Sequence, residues 1–552
     1  MSGNRGRFLV ESDRVMNGAR RDDIAMEHAR FASLATSNAL LRRRPRARAV
    51  ALAASAALGL GACAFGPGGA PPEMPQPAHY GAQPQPERTV AAQGVSQQFV
   101  VGAKAVPQWW TLYRSDALNA LVDEGLRSSP NLEAAGHNLT AAREQLRAQI
   151  GSTMLPTVDA LGLAVRQHSP GIPEFGIDHL QNDVFAGLVQ VRYTFDIFGA
   201  TRLNNAALVS RFDIEAFQFD AARRALAANI VTAAIGAATL HAQIDTTERL
   251  IALANAQADD QRQRYALGAV SHTDALSAQQ SADALAASLP ALRQQWLATR
   301  HALAVLLGRT PDAAPPDLDL ATLTLPEQVP VSVPSDLLKA RPDIQAADAA
   351  LKAAAAGVGA ATAQMFPSIT LTASLGQAGL SWPVATSGAG ALWNIGASLT
   401  QPIFHGGELL AQRRAALASY DAANAAYRQT VLAAFQNVAD QLAALEHDAQ
   451  ALDAADRSAR LAENVFEDTS ARYRLGAVPY FAVRQSEQQW RNARLDEVRY
   501  RGARLSDTAA LFQAMGNPPS TGTAANAATP SGTTTAPTTP PGPTTAGGAA
   551  SE

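Results

Sequence analysis

Few residues in this chain could do covalent or metal chemistry. There is one cysteine, Cys63, in 552 residues. One thiol cannot form a disulfide within the chain or supply a Cys-based zinc site. The ten histidines are scattered, with no His-Glu-x-x-His pair. Gly-x-Ser-x-Gly, phosphate-loop and dinucleotide-binding glycine patterns do not occur. No catalysis, resident cofactor or metal is expected. A net charge of −3, without a basic stripe, gives no reason to expect a nucleic-acid partner.

What Cys63 can do depends on the residues before it. Arg42, Arg43, Arg44, Arg46 and Arg48 are followed by an apolar run over 49–60 and then by Gly61-Ala62-Cys63. A basic stretch, a short apolar stretch and small residues at a cut site mark a secretory signal. The apolar run, about 12 residues, is too short for a bilayer span of about 20. Leu60-Gly61-Ala62-Cys63 resembles a bacterial lipobox, in which the chain is cut between Ala62 and Cys63 and the thiol is lipidated. Ala64 stands where Asp would retain such a lipoprotein at the inner membrane, so the expected address is the outer membrane of a Gram-negative cell. Residues 1–62 then form a leader, with translation starting later than Met1, for example at Met26. One acyl group holds a membrane only marginally, so firm anchoring takes more chains or a second element.

The stretch 63–105 is rich in Pro, Gly, Gln and Ala and reads as a tether, extended or wrapped on the surface without chemistry of its own. Residues 517–552 are almost entirely Thr, Pro, Ala, Gly and Ser, too poor in apolar surface to order themselves. Between these ends the chain repeats itself. Arg264-Tyr265-Ala266-Leu267-Gly268-Ala269-Val270 recurs as Arg472-Tyr473-Arg474-Leu475-Gly476-Ala477-Val478, 208 positions on. Pro130-Asn131-Leu132 recurs as Pro342-Asp343-Ile344, Met154-Leu155-Pro156 as Met365-Phe366-Pro367, and Ile197-Phe198 as Ile403-Phe404, in the same order. The chain therefore holds two copies of one unit, 106–315 and 316–516, with a period far too long for a short-repeat solenoid.

Each unit reads as an Ala-rich helix (132–151, 344–363), a strand pair, a very long helix (201–267, 408–475) and a returning helix (273–307, 481–515). Residues 408–475 contain neither Gly nor Pro, and at 1.5 Å per residue such a helix is about 100 Å long. That length implies a coiled coil or a helical barrel, ended by Gly268 and Gly476 as a glycine at C′ ends a helix. The strands 183–196, 368–377 and 392–403 alternate apolar residues with Ser, Thr, Asn and Gln. Amphipathic segments of about ten residues are a weak signature of an outer-membrane barrel, although a half-buried soluble sheet alternates in the same way. The secretory signal and the long helices favour the barrel. Four strands cannot close one, since about eight is the minimum, and open edges cannot sit unsatisfied in lipid. The chain must oligomerise, and three copies give 12 strands.

Together these features resemble the TolC-type outer-membrane efflux proteins, in their NodT-like lipoprotein branch. The resemblance rests on Cys63 in Leu-Gly-Ala-Cys, Trp109-Trp110, Leu337-Leu338 with Arg341-Pro342-Asp343-Ile344, Phe366-Pro367-Ser368-Ile369, Gln401-Pro402-Ile403-Phe404 with Gly406-Gly407, and the two Arg-Tyr-x-Leu-Gly motifs. It covers about residues 105 to 515. It implies a mainly α fold with a β-barrel portion: a homotrimer with a 12-stranded barrel in outer-membrane lipid and a 12-helix tunnel across the periplasm. It implies a passive conduit for small toxic compounds or drugs, with 168–182 as an outer loop of the barrel in which His168 and His179 are more often surface residues than metal ligands. The tunnel would meet a periplasmic adaptor (membrane fusion) protein and an inner-membrane pump of RND type. Arg264, Tyr265, Leu267, Gly268, Val270, Arg472, Tyr473, Leu475, Gly476 and Val478 would form the periplasmic tip, touch the adaptor and border the gate. Asp274 and Tyr473 match positions that relatives often link across the gate, while Asp274 also suits a helix N-cap. Ala482 and Gln485 stand where relatives often carry an acidic ring, and Val478 where some carry a cation. A gate through Gln485 and its neighbours would then rest on hydrophobic and hydrogen-bond contacts, with Arg484 and Glu487 as solvated charges. The alternatives are the exit duct of a type I protein secretion system, which shares the fold, and a structural coiled-coil lipoprotein, which has no use for amphipathic strands.

Overall fold

The computed structural model describes residues 66–516 except 76, 78, 82–85, 104–105 and 173–176, and over 169–182 it describes the backbone alone. Ala62, Cys63 and the tail 517–552 lie outside the described residues.

The elements run in chain order as β1 (Gln98–Val101), α1 (Asp116–Ser128), α2 (Pro130–Met154), β2 (Thr157–Ile172), β3 (Ile177–Phe195), α3 (Ala200–Ala266), α4 (His272–Ala286) and α5 (Leu289–Leu306). There follow β4 (Gln328–Val331), α6 (Pro334–Ala340), α7 (Pro342–Ala363), β5 (Ser368–Gly379), β6 (Ala391–Thr400), α8 (Glu408–Arg474) and α9 (Tyr480–Met515). The two long helices, α3 and α8, have 67 residues each. Both follow a left-handed glycine, Gly199 (φ 80°) and Gly407 (φ 86°). Both end the same way. Gly268 (φ 73°) and Gly476 (φ 75°) turn left-handed, and the next amides, of Ala269 and Ala477, donate back to the carbonyls of Arg264 (2.8 Å) and Arg472 (2.9 Å), closing the last turn.

The main sheet is antiparallel in the order β2-β3-β5-β6, leaving β2 and β6 as its edges. The register puts Val189, Leu375 and Trp393 in one row and Val191, Ala373 and Ile395 in the next. Trp393, Ile395 and Leu399 on that face are 73, 71 and 68% exposed. The opposite face carries Asp159, Gln190, Ser374 and Asn394 in one row. Two of them are joined by a 2.9 Å bond between Ser374 Oγ and Asn394 Oδ1. One wet face and one apolar face, which among the described residues is covered only near Phe185, where Trp382 packs on it at 5.7 Å, is the pattern of a barrel wall. The core lies instead among the helices. Trp109, Tyr113, Ile230, Val431, Leu445, Leu505 and Phe512 form one buried cluster there, with Trp109 stacked on Phe512 at 5.4 Å. One stretch of α3 has the length and composition of a membrane span, but half of that window is buried within the protein, as in a core helix.

The structure corrects several expectations. The returning helix of the first unit is broken at residues 287–288, just before Pro290, into α4 and α5, because proline cannot donate to the preceding turn. The supposed outer loop 168–182 is mostly strand: His168 lies in β2 and His179 in β3. The tether is partly folded. β1 pairs in parallel with β4, and Thr89, Ala92, Gln97 and Phe99 are buried. That segment precedes the first unit yet packs against the start of the second unit, through β4, and against the last helix.

Candidate functional site

At the far ends of α3 and α8 the two Arg-Tyr-x-Leu-Gly turns stand beside one another. Tyr473 is the hub. Its hydroxyl lies 2.8 Å from Gln261 Nε2 and 3.1 Å from Gln261 Oε1, and Gln261 is almost fully buried. The Arg264 guanidinium sits 5.2 Å from the centre of the Tyr473 ring while its Nε donates to Asp260 (2.7 Å). On the other side the Tyr480 ring is 5.5 Å away. Burial pushes the Tyr480 hydroxyl up to about 12, helped by the neighbouring Glu487 charge and opposed by Arg484. Ala258, Ala278, Tyr480 and Val483 form a small apolar cluster of their own, with Phe466 and Tyr473 against it. Beyond it Leu267 and Leu475 project, each 84% exposed. Val270 and Val478 are half-buried, and Tyr265 packs on His272 at 4.9 Å.

The pairing of Asp274 with Tyr473 does not form within the chain. Asp274 is occupied at the start of α4. Ser271 is the N-cap, its Oγ accepting from the Asp274 amide (3.1 Å) and donating to Asp274 Oδ2 (2.8 Å). The hydroxyl thus caps the helix while the carboxylate holds it in place, with Asp274 in the third helical position and not at the cap itself. Gln485 is exposed. Glu487, expected to be a solvated charge, is 2% exposed. Burial raises its carboxyl, with Arg491 and Arg484 pulling it back down.

About 40 Å from the tips along α9 at 1.5 Å per residue, a second polar cluster lies where sequence gave no hint of one. Arg504 is fully buried. It donates to Gln97 Oε1 (3.1 Å), Thr89 Oγ1 (3.2 Å) and the Val95 carbonyl (3.1 Å). Gln97 in turn donates to Thr508 Oγ1 (3.2 Å). One arginine thus clasps the segment before β1 onto α9. Burial pulls its guanidinium down to about 10, opposed by Asp448. Burial also pushes Asp448 up to about 7; the facing Asp507 carboxyl adds to the rise, and Arg504 works against it. Among the described residues no group of three or more His, Cys, Asp or Glu is placed to hold a metal ion.

A profile of the outer membrane efflux protein family matches residues 121–309 and 333–517. The chain belongs to the outer membrane efflux protein family. It is 27% identical over 484 residues to nodulation protein T of Rhizobium leguminosarum bv. viciae, covering 84% of this chain and 95% of that protein. It is 30% identical over 383 residues to the probable efflux pump outer membrane protein TtgC of Pseudomonas putida, covering 68% of this chain and 77% of that protein. The solved outer-membrane channel OprN superposes with a TM-score of 0.74 at 23% identity, over 82% of this chain and 99% of that one. That likeness establishes the fold. The predominantly helical, TolC-like architecture read from the sequence is the observed one, and this outer-membrane efflux protein falls in a family of channels.

Proposed function

We propose that three copies of this efflux protein close into a single passive conduit, the outer-membrane channel of a tripartite pump that exports small toxic compounds. The carrying observation is the amphipathic four-stranded sheet with two unpaired edges, continuous with two helices of equal length. Lipid cannot satisfy open strand edges, so β2 of one copy pairs with β6 of the next and three copies give a barrel of 12 strands. Below it α3, α8 and their returning partners make the tunnel wall. Helix α2 supports this assembly: none of its residues is buried within the chain, which leaves its surface for a neighbour.

A lipid on Cys63 fits the same geometry. Gly66 (φ 115°) lies so close to α7 that a Cβ there would meet the Gly359 amide nitrogen at 3.0 Å, and Gly69 lies against Lys352. The chain from Gly66 on therefore follows the end of α7 that leads into β5, the end we assign to the membrane side. Three residues reach at most about 10 Å, so an acyl chain on Cys63 is within reach of the inner leaflet of the outer membrane.

At the other end, the exposed Leu267 and Leu475 offer an apolar contact to a periplasmic adaptor, which joins the channel to an inner-membrane RND-type pump. The closed state is held by Tyr473 with Gln261 and Arg264, and Asp274 keeps α4 in place. Adaptor docking shifts the population from closed to open; the channel couples no energy itself. Two measurements test this. Deletion of the gene sensitises cells to toxic compounds and leaves protein secretion intact; loss of a secreted protein with unchanged sensitivity would overturn the cargo in favour of a secretion duct. Tyr473→Phe combined with Gln261→Ala raises the conductance of the trimer in planar bilayers, and unchanged conductance refutes the gate.

A further inference from the structure

Helices α4 and α9 rise side by side from the tips, and between them lies a cleft of about 350 Å³. Its polar lining is Gln280 and Ser281 from α4 and Arg484, Gln488, Arg491 and Asn492 from α9. Two cations line it, and no acid does. Both cations are poorly used. Arg491 is 6% exposed, yet among the described residues its guanidinium makes one hydrogen bond, to Ser281 Oγ at 3.5 Å, and a loose ion pair with Glu487. Its Nε is 3.8 Å from Glu487 Oε1, beyond hydrogen-bond length. Glu487 Oε1 and Arg484 Nε are both buried without a hydrogen-bond partner among the described residues. The spacing from the tip turns, about 8 to 19 residues at 1.5 Å each, keeps the cleft within reach of a partner that grips Leu267 and Leu475.

Buried charged donors without acceptors are costly to keep. With Glu487 ionised, Arg484, Arg491 and Glu487 carry a net +1, which one monoanion neutralises. A carboxylate has two coplanar oxygens that match guanidinium forks, and the cleft has room for one side chain but not for another helix. We propose that this cleft receives the carboxylate of an Asp or Glu side chain presented by a helix of the periplasmic adaptor, bridged between Arg484 and Arg491. The inference rests on the adaptor reading above and names the chemistry of the contact.

The test uses the full-length trimer and the cell's own periplasmic adaptor, with the dissociation constant measured by biolayer interferometry. Arg484→Gln weakens adaptor binding about tenfold, and Arg484→Asp weakens it further. When each Asp and Glu of the adaptor's docking helices is changed in turn to Arg, one change restores binding to the Arg484→Asp channel. Wild-type affinity for both Arg484 variants overturns the proposal. So does a loss of trimer in native mass spectrometry with affinity per trimer unchanged, since that would make the cleft a contact between copies of the channel. A loss of affinity that no adaptor reversal restores, in a trimer of wild-type stability, also overturns it. If the wild-type channel binds no adaptor, the parent reading fails first.

Discussion

Replacing Arg504 with methionine tests how far the segment before β1 depends on one side chain. Arg504→Met keeps much of the volume and removes every donor. Gln97 Oε1, Thr89 Oγ1 and the Val95 carbonyl, now served at 3.1, 3.2 and 3.1 Å, are left without it. Thr89 Oγ1 keeps the Gln97 amide (3.0 Å) and the Val95 carbonyl keeps the Ala92 amide (3.1 Å), so Gln97 Oε1 alone is orphaned; at about 1–3 kcal/mol for that acceptor and about 1.5–3 kcal/mol for each lost hydrogen bond to a charged donor, the gross loss is several kcal/mol. Two effects reduce that: the arginine's own desolvation is relieved, and the freed segment can turn toward water. A net loss of about 3 kcal/mol corresponds to a local opening constant about a hundredfold larger. Hydrogen exchange reads it directly. The amides of Thr89, which donates to Gln97 O (2.9 Å), and Gln98, which donates to Glu327 O (2.7 Å), are protected only while the segment is docked. Both exchange about a hundredfold faster in the variant, while amides near Gly268 and Gly476 do not change. Equal rates at Thr89 and Gln98 would refute the clasp.

Other expectations are narrower. Asp448 is held up to about 7 by burial and by Asp507, so its protonated form stabilises the fold; that contribution is full below the ordinary carboxylate range and is lost as pH rises through about 7. Asp448→Asn should flatten the pH dependence of thermal unfolding between pH 5 and 8, and an unchanged slope would clear Asp448 of the effect. Gly308 (φ 75°) has no room for a side chain, since a Cβ would stand 2.3 Å from the Ser128 carbonyl; Gly308→Ala should cost about 2 kcal/mol and lower the melting midpoint by several degrees. Cys63→Ser should abolish metabolic labelling with palmitate while leaving the trimer intact, and retained label would place the lipid elsewhere.

The long helices are legible because little interrupts them: α8 holds neither Gly nor Pro and α3 only Gly236, and each run ends in Leu-Gly. The strands were legible by alternation, but their ends were not. His168 and His179 sit where alternation fades, yet the ladder from Thr157 to Ile172 continues by backbone pairing, which is indifferent to side chain. Tyr473 was found at the tip by its place in the repeat; its partner Gln261 was not, because a glutamine on a polar helix carries no mark of burial. Arg504 and Glu487 were missed for the same reason. In sequence each is one charge on an arginine-rich helix, and only the chain packed against them separates them from solvated neighbours such as Arg499 and Asp496. The tether was misjudged because Pro and Gly content reports local stiffness and says nothing of the acceptors that Thr89 and Gln97 offer to a residue some 400 positions away.

That distance has a consequence for how the protein is made. Gln97 and Arg504 are separated by 407 residues, so a part of the chain made early waits for a part made late. A nascent or prematurely terminated chain that lacks α9 cannot dock Thr89 and Gln97, however well its first repeat folds. Its early segment stays open to proteases until synthesis is finished. The buried arginine thus ties the docking of the early segment to a chain complete through α9.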